Sequence, residues 1–232
     1  MDILGELLDI KADQEFKKHV QNIKAGRFKR DRKDADYRSR IIYAEKLRSF
    51  VYNPALMNDI LSDWYLKQLF FRTFGYKGSL DFTIYPNAWL RDLPLLDIGE
   101  GCYLADNILL GTNMVSHNQK FIDVGPISIG DRTIFNQRCA VGNDVNIGKD
   151  CRIGFSVGIG IKSNVGDNVN VGEYSFIAHG VKIGKNVTIG QCSHIGNMSI
   201  IAEGVTLPDN TKIPAFSRVT KQGVFPRRKQ QV

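Results

Sequence analysis

Four cysteines, four histidines, two tryptophans and seven prolines in 232 residues leave few side chains for chemistry. No CxxC occurs, which speaks against a zinc knuckle or a disulfide framework. No apolar run approaches the roughly 18 residues that a membrane span needs. The opening MDILGELLDIKADQ has neither the basic nor the apolar region of a signal peptide, so a cytoplasmic protein is expected. Acidic residues are the minority, 24 against 31 Lys and Arg, for a net charge of +7. The excess gathers at residues 24–33 and 227–229, and it suits a phosphorylated cofactor, an anionic glycan, a membrane surface or a nucleic acid. No nucleic-acid motif accompanies it, and no nucleic-acid partner is expected.

What the chain has in abundance is period. From Ile129 to Val224 sixteen hexapeptides run in one register. They open with Ile129, Phe135, Val141 and so on every sixth residue to Ile213 and Val219, and Gly follows ten of the sixteen openers. The fifth positions (Thr133, Cys139, Val145, Cys151, Val157, Ser163 and onward) are never large. Hexapeptide repeats belong to β-helices. Each unit supplies a short strand and a corner, three units complete a coil, and openers stack inward about 4.8 Å from coil to coil. A helix would place apolar residues at i, i+3, i+4 and i+7, which this segment does not do. Glycine after the opener is expected to relax the bend through positive φ.

The segment up to Gly75 reads as helices. Asp13 is a candidate cap of one that ends before Gly26, a second runs from about Tyr37 to Val51, and Asn53-Pro54 opens a third that continues through Trp64 and Phe70 towards Gly75. Pro86 and Pro94 exclude a central strand between 76 and 97. The expected division is a mostly helical region over 1–90, a β-helix domain over 91–225 and a basic tail over 226–232. Repeat character begins at Ile98-Gly99 and breaks between Ser116 and Ser128. The interval from Ile98 to Ile129 is five hexapeptides plus one, so something leaves the helix there. An excursion from a regular solenoid is a candidate functional element.

Of the four histidines, His19 lies on a helix and reads as a surface residue. His117 stands at the start of the excursion. His179 is third in its repeat and His194 sixth, both pointing outward.

The repeat resembles the left-handed β-helix of hexapeptide acyltransferases, which implies a homotrimer with active sites between subunits. Residues 98–117, IGEGCYLADNILLGTNMVSH, are similar to the segment before the catalytic histidine of xenobiotic acetyltransferases. The stretch 125–131, GPISIGD, resembles the element that resumes the helix in maltose, galactoside and nodulation-factor acetyltransferases, and residues 64–78 resemble their pre-helix segment. Val219-Thr220-Lys221 looks like the Val-Thr-Lys that in those enzymes lies by the coenzyme A phosphates. The resemblance implies His117 as general base, Thr220 and Lys221 as cofactor contacts, and acetyl-CoA as donor to a saccharide or small hydroxylated acceptor. The Trp that often follows the resuming Ile-Gly-Asp is absent, Ile134-Phe135 standing in its place, and the acceptor stays open. The runner-up base is His179, because Ile177-Ala-His-Gly-Val-Lys-Ile-Gly184 resembles the motif around the catalytic histidine of the N-acyltransferases of lipid A synthesis. A non-catalytic β-helix scaffold is the remaining alternative. γ-Class carbonic anhydrases share the β-helix and bind metal through an H-x4-H pair. Here His117, His179 and His194 are spaced far more widely than that. The register sets His179 on the third face and His194 on the second, so no metal is expected.

Overall fold

A computed structural model of the chain describes residues 2–227. The part of the basic tail beyond Arg227 lies outside the described residues. The molecule is a left-handed parallel β-helix with a helical N-terminal region, as the repeat and the resemblance imply. Helices α1 (Ile3–Ala12), α2 (Gln14–Gln21), α3 (Ala35–Val51), α4 (Pro54–Ser62) and α5 (Trp64–Thr73) each start at an Asp or Asn whose side chain accepts a first-turn backbone N–H. The single helix expected from Asn53 to Gly75 is two. Asp63 adopts an extended conformation and caps α5 through Leu66 N.

Strand β1 (Gly26–Lys29) lies between α2 and α3, and β2 (Phe82–Ile84) forms in the stretch expected to be irregular. Strands β3 (Leu96–Ile98), β4 (Cys102–Leu104) and β5 (Leu109–Leu110) then lie one on each of the three faces of the prism, β4 pairing in parallel with β2. The chain next makes an excursion, the hairpin of β6 (Asn113–Val115) and β7 (Phe121–Val124). Strand β8 (Ile127–Ile129) resumes the path, and short strands β9 to β22 follow at every hexapeptide, from Ile134–Phe135 to Lys212–Ile213. The coils end in a second hairpin, of β23 (Ser217–Thr220) and β24 (Gly223–Pro226).

All sixteen openers are buried. Fully burying an aliphatic side chain contributes about 1.5–3 kcal/mol, so this ladder is the main source of cohesion in the prism. The small fifth residues also turn inward, and their polar atoms serve the corners. Ser163 Oγ accepts from Val181 N and donates to the carbonyl of Ala178, both on the next coil. Thr133, Ser175 and Ser199 repeat the pattern. Cys139 and Cys151 stand in the same row and donate Sγ–H to Gly154 O and Gly166 O. Burial pushes the Cys139 thiol up to about 11, so it stays protonated.

The glycines have a different role from the one expected. Positive φ falls on the fourth position of the first fifteen repeats, at Arg132, Arg138, Asp144, Asp150 and so on to Phe216, mostly without glycine. Where the second position is glycine, the next coil passes close against it. A Cβ on Gly166 would lie 2.8 Å from Lys185 N, and one on Gly148 would lie 2.6 Å from Asp167 N.

A β-helix leaves an open edge at each end. At the first end, the Tyr76 hydroxyl donates to Ile98 O and accepts from Ile98 N, closing β3. Lys67 Nζ donates to Leu80 O and Phe82 O beside β2, and Arg72 donates to Tyr76 O and Gly78 O. A cluster of Phe16, Tyr43, Phe50, Phe70 and Phe74 with ring centroids 5.1–6.2 Å apart binds the helices together. At the other end β24 covers β23, and Arg227 donates to Met198 O.

The two backbone roles make a paired prediction. Gly166→Val should cost about 1–3 kcal/mol in urea unfolding, because the added atoms meet backbone. Lys162→Gly, at a position with φ of 60°, should stay within about 1 kcal/mol of the parent. The reverse ranking would contradict this assignment of the repeat positions.

Candidate active site

Ile98 pairs with Ile129, whereas a regular coil pairs residues much closer in sequence, as Asn146 with Asn164. The surplus leaves the prism at the corner between β5 and β8 as the antiparallel hairpin of β6 and β7. β1 adds to the other edge of β7, with Gly26 opposite Val124 and Lys29 opposite Phe121. The basic segment of the N-terminal region thus becomes the third strand of this small sheet. Arg27 lies 3.7 Å from the Asp123 carboxylate and 4.7 Å from the Phe121 ring.

The root of the hairpin is fixed by one buried carboxylate. Asp92 Oδ2 accepts from Thr112 Oγ1 at 2.6 Å, Arg40 Nη2 at 2.7 Å and Asn113 Nδ2 at 2.9 Å. Charged donors and acceptors make hydrogen bonds roughly twice as strong as neutral ones. Helix α3, the segment before the prism and the hairpin are thereby tied at one atom.

His117 sits in the exposed turn at the tip, between β6 and β7. Ser116 shapes that turn: its Oγ accepts from Phe121 N and donates to Asn118 Oδ1. Among the described residues no side chain holds the His117 ring. The neighbouring Met114 and Val115 are exposed as well, 42% and 41%.

His179 and His194 come together, contrary to the expectation that they occupy different faces. A strand straddles the boundary between two hexapeptides, so the sixth residue of one unit shares a face with the opener of the next. His194 therefore lies in the strand His194–Ile195, paired with Phe176–Ile177 just before His179. The His194 ring stacks on Phe176, centroids 5.6 Å apart. Both histidines line a shallow groove with Phe176, Asn197, Lys212 and Ala215; His117 does not. Among the described residues no group of three or more His, Cys, Asp or Glu is arranged around a common point.

The His179 ring has a structural partner. Several third-position side chains accept the backbone N–H of the third position one coil earlier. Asp131 does so for Glu100, Asp167 for Lys149 and Asp209 for Gln191. His179 Nδ1 accepts from Ile161 N at 3.2 Å in the equivalent way at another corner, and Asn197 Oδ1 accepts from His179 N. A backbone N–H can only donate, so the neutral ring carries its proton on Nε2, facing the groove. In that form Nε2 donates to an oxyanion but cannot take a proton from an acceptor.

Thr220 ends β23, and Lys221 lies in the tight turn to β24. Thr220 Oγ1 accepts from Gln222 N, and both residues line a second shallow groove with Thr206 and Val219. Sequence reading had no signal for the Asp92 cluster, whose members Arg40, Asp92, Thr112 and Asn113 are scattered along the chain.

Compared by sequence with curated proteins, the chain has no significant match. Residues 123–224, from the end of β7 through the regular coils into β24, match the family described as the GMPPB C-terminal domain. Among solved structures, a UDP-N-acetylglucosamine acyltransferase is similar at 18% identity with a TM-score of 0.53, over 65% of this chain and 61% of that one. PerB from Caulobacter crescentus, solved with CoA and GDP-perosamine, aligns at 21% identity and a TM-score of 0.36 over the same shares. LpxA from Acinetobacter baumannii aligns at 12% and 0.35, over 61% of this chain and 69% of that one. This chain thus spans about three-fifths of the first two structures, and the likeness at 18% identity concerns the fold. No helix among the described residues is long and apolar enough to cross a membrane.

The ring assignment of His179 is open to test by nitrogen-15 NMR of the neutral imidazole. Nδ1 should resonate as an unprotonated acceptor and Nε2 as N–H. A majority Nδ1–H tautomer would contradict the bond to Ile161.

Proposed function

We propose that the chain is an acyltransferase, moving an acetyl group from acetyl-CoA to a hydroxyl of a saccharide or small hydroxylated acceptor. The hairpin carries this reading: the one long interruption of a regular prism presents a histidine at its tip. In the proposed step His117 accepts the proton of the acceptor hydroxyl as its oxygen attacks the thioester carbonyl. The tetrahedral oxyanion then collapses and expels coenzyme A thiolate, which takes the proton back from the imidazolium. Base catalysis of this kind contributes about 10²–10⁴-fold. Thr220 and Lys221 would hold the phosphates of the donor, in the groove at the last coil.

His117 lies in an exposed turn beside two exposed apolar residues, which suits a homotrimer in which a neighbouring prism covers the hairpin and completes the site. A second reading places the chemistry at His179, as an N-acyl transfer to an amino sugar. It is favoured by the fixed ring and the groove shared with His194. Against it, Nδ1 already accepts from Ile161, so a base at that position would have to break a coil contact.

Thiol release from acetyl-CoA, measured against a panel of sugars, amino sugars and small alcohols, separates the readings. His117→Ala should lower acceptor-dependent turnover by about 10²–10⁴-fold, while His179→Ala leaves most of it. Lys221→Ala should raise the KM for acetyl-CoA with kcat nearly unchanged. Loss confined to His179→Ala would move the chemistry to the groove. No release with any acceptor would leave a longer-chain or carrier-protein acyl donor, or a non-catalytic scaffold.

A further inference from the structure

A cavity of about 140 Å³ opens between α3, residues 89–92 and the root of the hairpin. It holds several waters' worth of space, at about 30 Å³ each, yet is small beside the roughly 300–1,000 Å³ of sites that enclose whole organic ligands. Three arginines line it, Arg40, Arg48 and Arg91, against the single carboxylate of Asp92. That balance leaves two positive charges at the cavity. Tyr37 and Asn113 also contribute to its wall.

The arginines are held in different ways. Arg40 is 6% exposed; its Nη2 donates to Asp92, and its buried Nη1 has no hydrogen-bond partner. A buried donor left unpaired costs about 1–3 kcal/mol, more when it is charged. Arg91 stacks on the Trp89 ring at 4.3 Å and donates to Asn113 Oδ1 at 3.0 Å, which leaves donors of its fork free. Burial draws the Arg91 pKa down, and the nearby Arg48 and Arg40 charges act in the same direction. Arg48 is exposed at the rim, near Tyr52. A cluster of three guanidiniums facing one carboxylate, with one buried N–H unpaired, is short of acceptors and of negative charge, and an anion would supply both.

We propose that this cavity binds a phosphate dianion, whose charge matches the excess and whose oxygens take the Arg91 and Arg48 donors beside the buried Arg40 charge. Guanidinium is suited to this role because its planar fork meets two phosphate oxygens at once. A bound phosphate would bridge α3 and residues 89–92 to Asn113 and Ile122, which belong to the two strands of the hairpin. Occupancy therefore bears on the hairpin that ends in His117. The binding itself needs no acyl transfer and stands or falls separately from that reading.

Isothermal titration of the full chain at constant ionic strength tests the site with three probes: inorganic phosphate, glucose 1-phosphate and acetate. Arg48→Gln and Arg91→Gln are the variants of choice, since both leave the buried Arg40–Asp92 pair intact. Saturable binding of inorganic phosphate, weakened about tenfold or more by each variant and at least tenfold tighter than acetate, is the expected result. Tighter binding of glucose 1-phosphate would assign the phosphate to a larger ligand reaching out of the cavity mouth. Equal binding would assign it to free phosphate. No saturable phosphate binding, an affinity unchanged in both variants, or acetate binding as well as phosphate would overturn the proposal.

Discussion

The structure depends on the contact between one coil and the next. Three hexapeptides complete a turn, and each inward or corner group meets its equivalent on the neighbouring coil at that interval. Openers stack on openers, fifth-position hydroxyls bridge N–H and C=O groups of the next coil, and third-position acceptors take the N–H groups of the coil before. Glycine at the second position is a consequence of the same closeness. Because satisfaction is always local to adjacent coils, the prism tolerates variation on its outer faces but not in its spacing. An insertion survives only at a corner and only if its own backbone is paired elsewhere.

The hairpin meets that condition. Its strands pair with each other, and β7 is covered on its free edge by β1 from the N-terminal region. Its root is tied to Asp92, which also holds Arg40 of α3. The helices therefore do two jobs: Lys67, Arg72 and Tyr76 close the first coil, and α3 with β1 fixes the excursion. A hairpin so placed has a rigid base and an exposed tip, which is the arrangement a base needs if it is to reach into a site on a neighbouring subunit.

Much of this was legible in the chain, because periodicity survives without knowledge of contacts. The sixteen openers, the small fifth residues and the break after Ser116 placed the prism and the excursion. Conformational detail was less visible. Positive φ sits on residues such as Arg138, Lys162 and Tyr174, which carry no propensity for it, and the stacked coils impose it. The face of His194 was misread because hexapeptides are a unit of sequence, while strands cross from one unit into the next. Asp63 split an expected helix because one capping side chain overrides an otherwise continuous apolar pattern. β1 and the Asp92 cluster rest on partners distant in the chain, Gly26 with Val124 and Arg40 with Asp92, for which no local signal exists.

The proposed acyl transfer needs a coenzyme A thioester held at the last coil and a histidine on the hairpin. Binding of coenzyme A itself to the purified chain, by titration calorimetry, tests it most directly, since no acceptor need be known. Saturable binding with one coenzyme A per chain is the predicted result. No binding at millimolar coenzyme A would contradict the account and leave the prism as a scaffold.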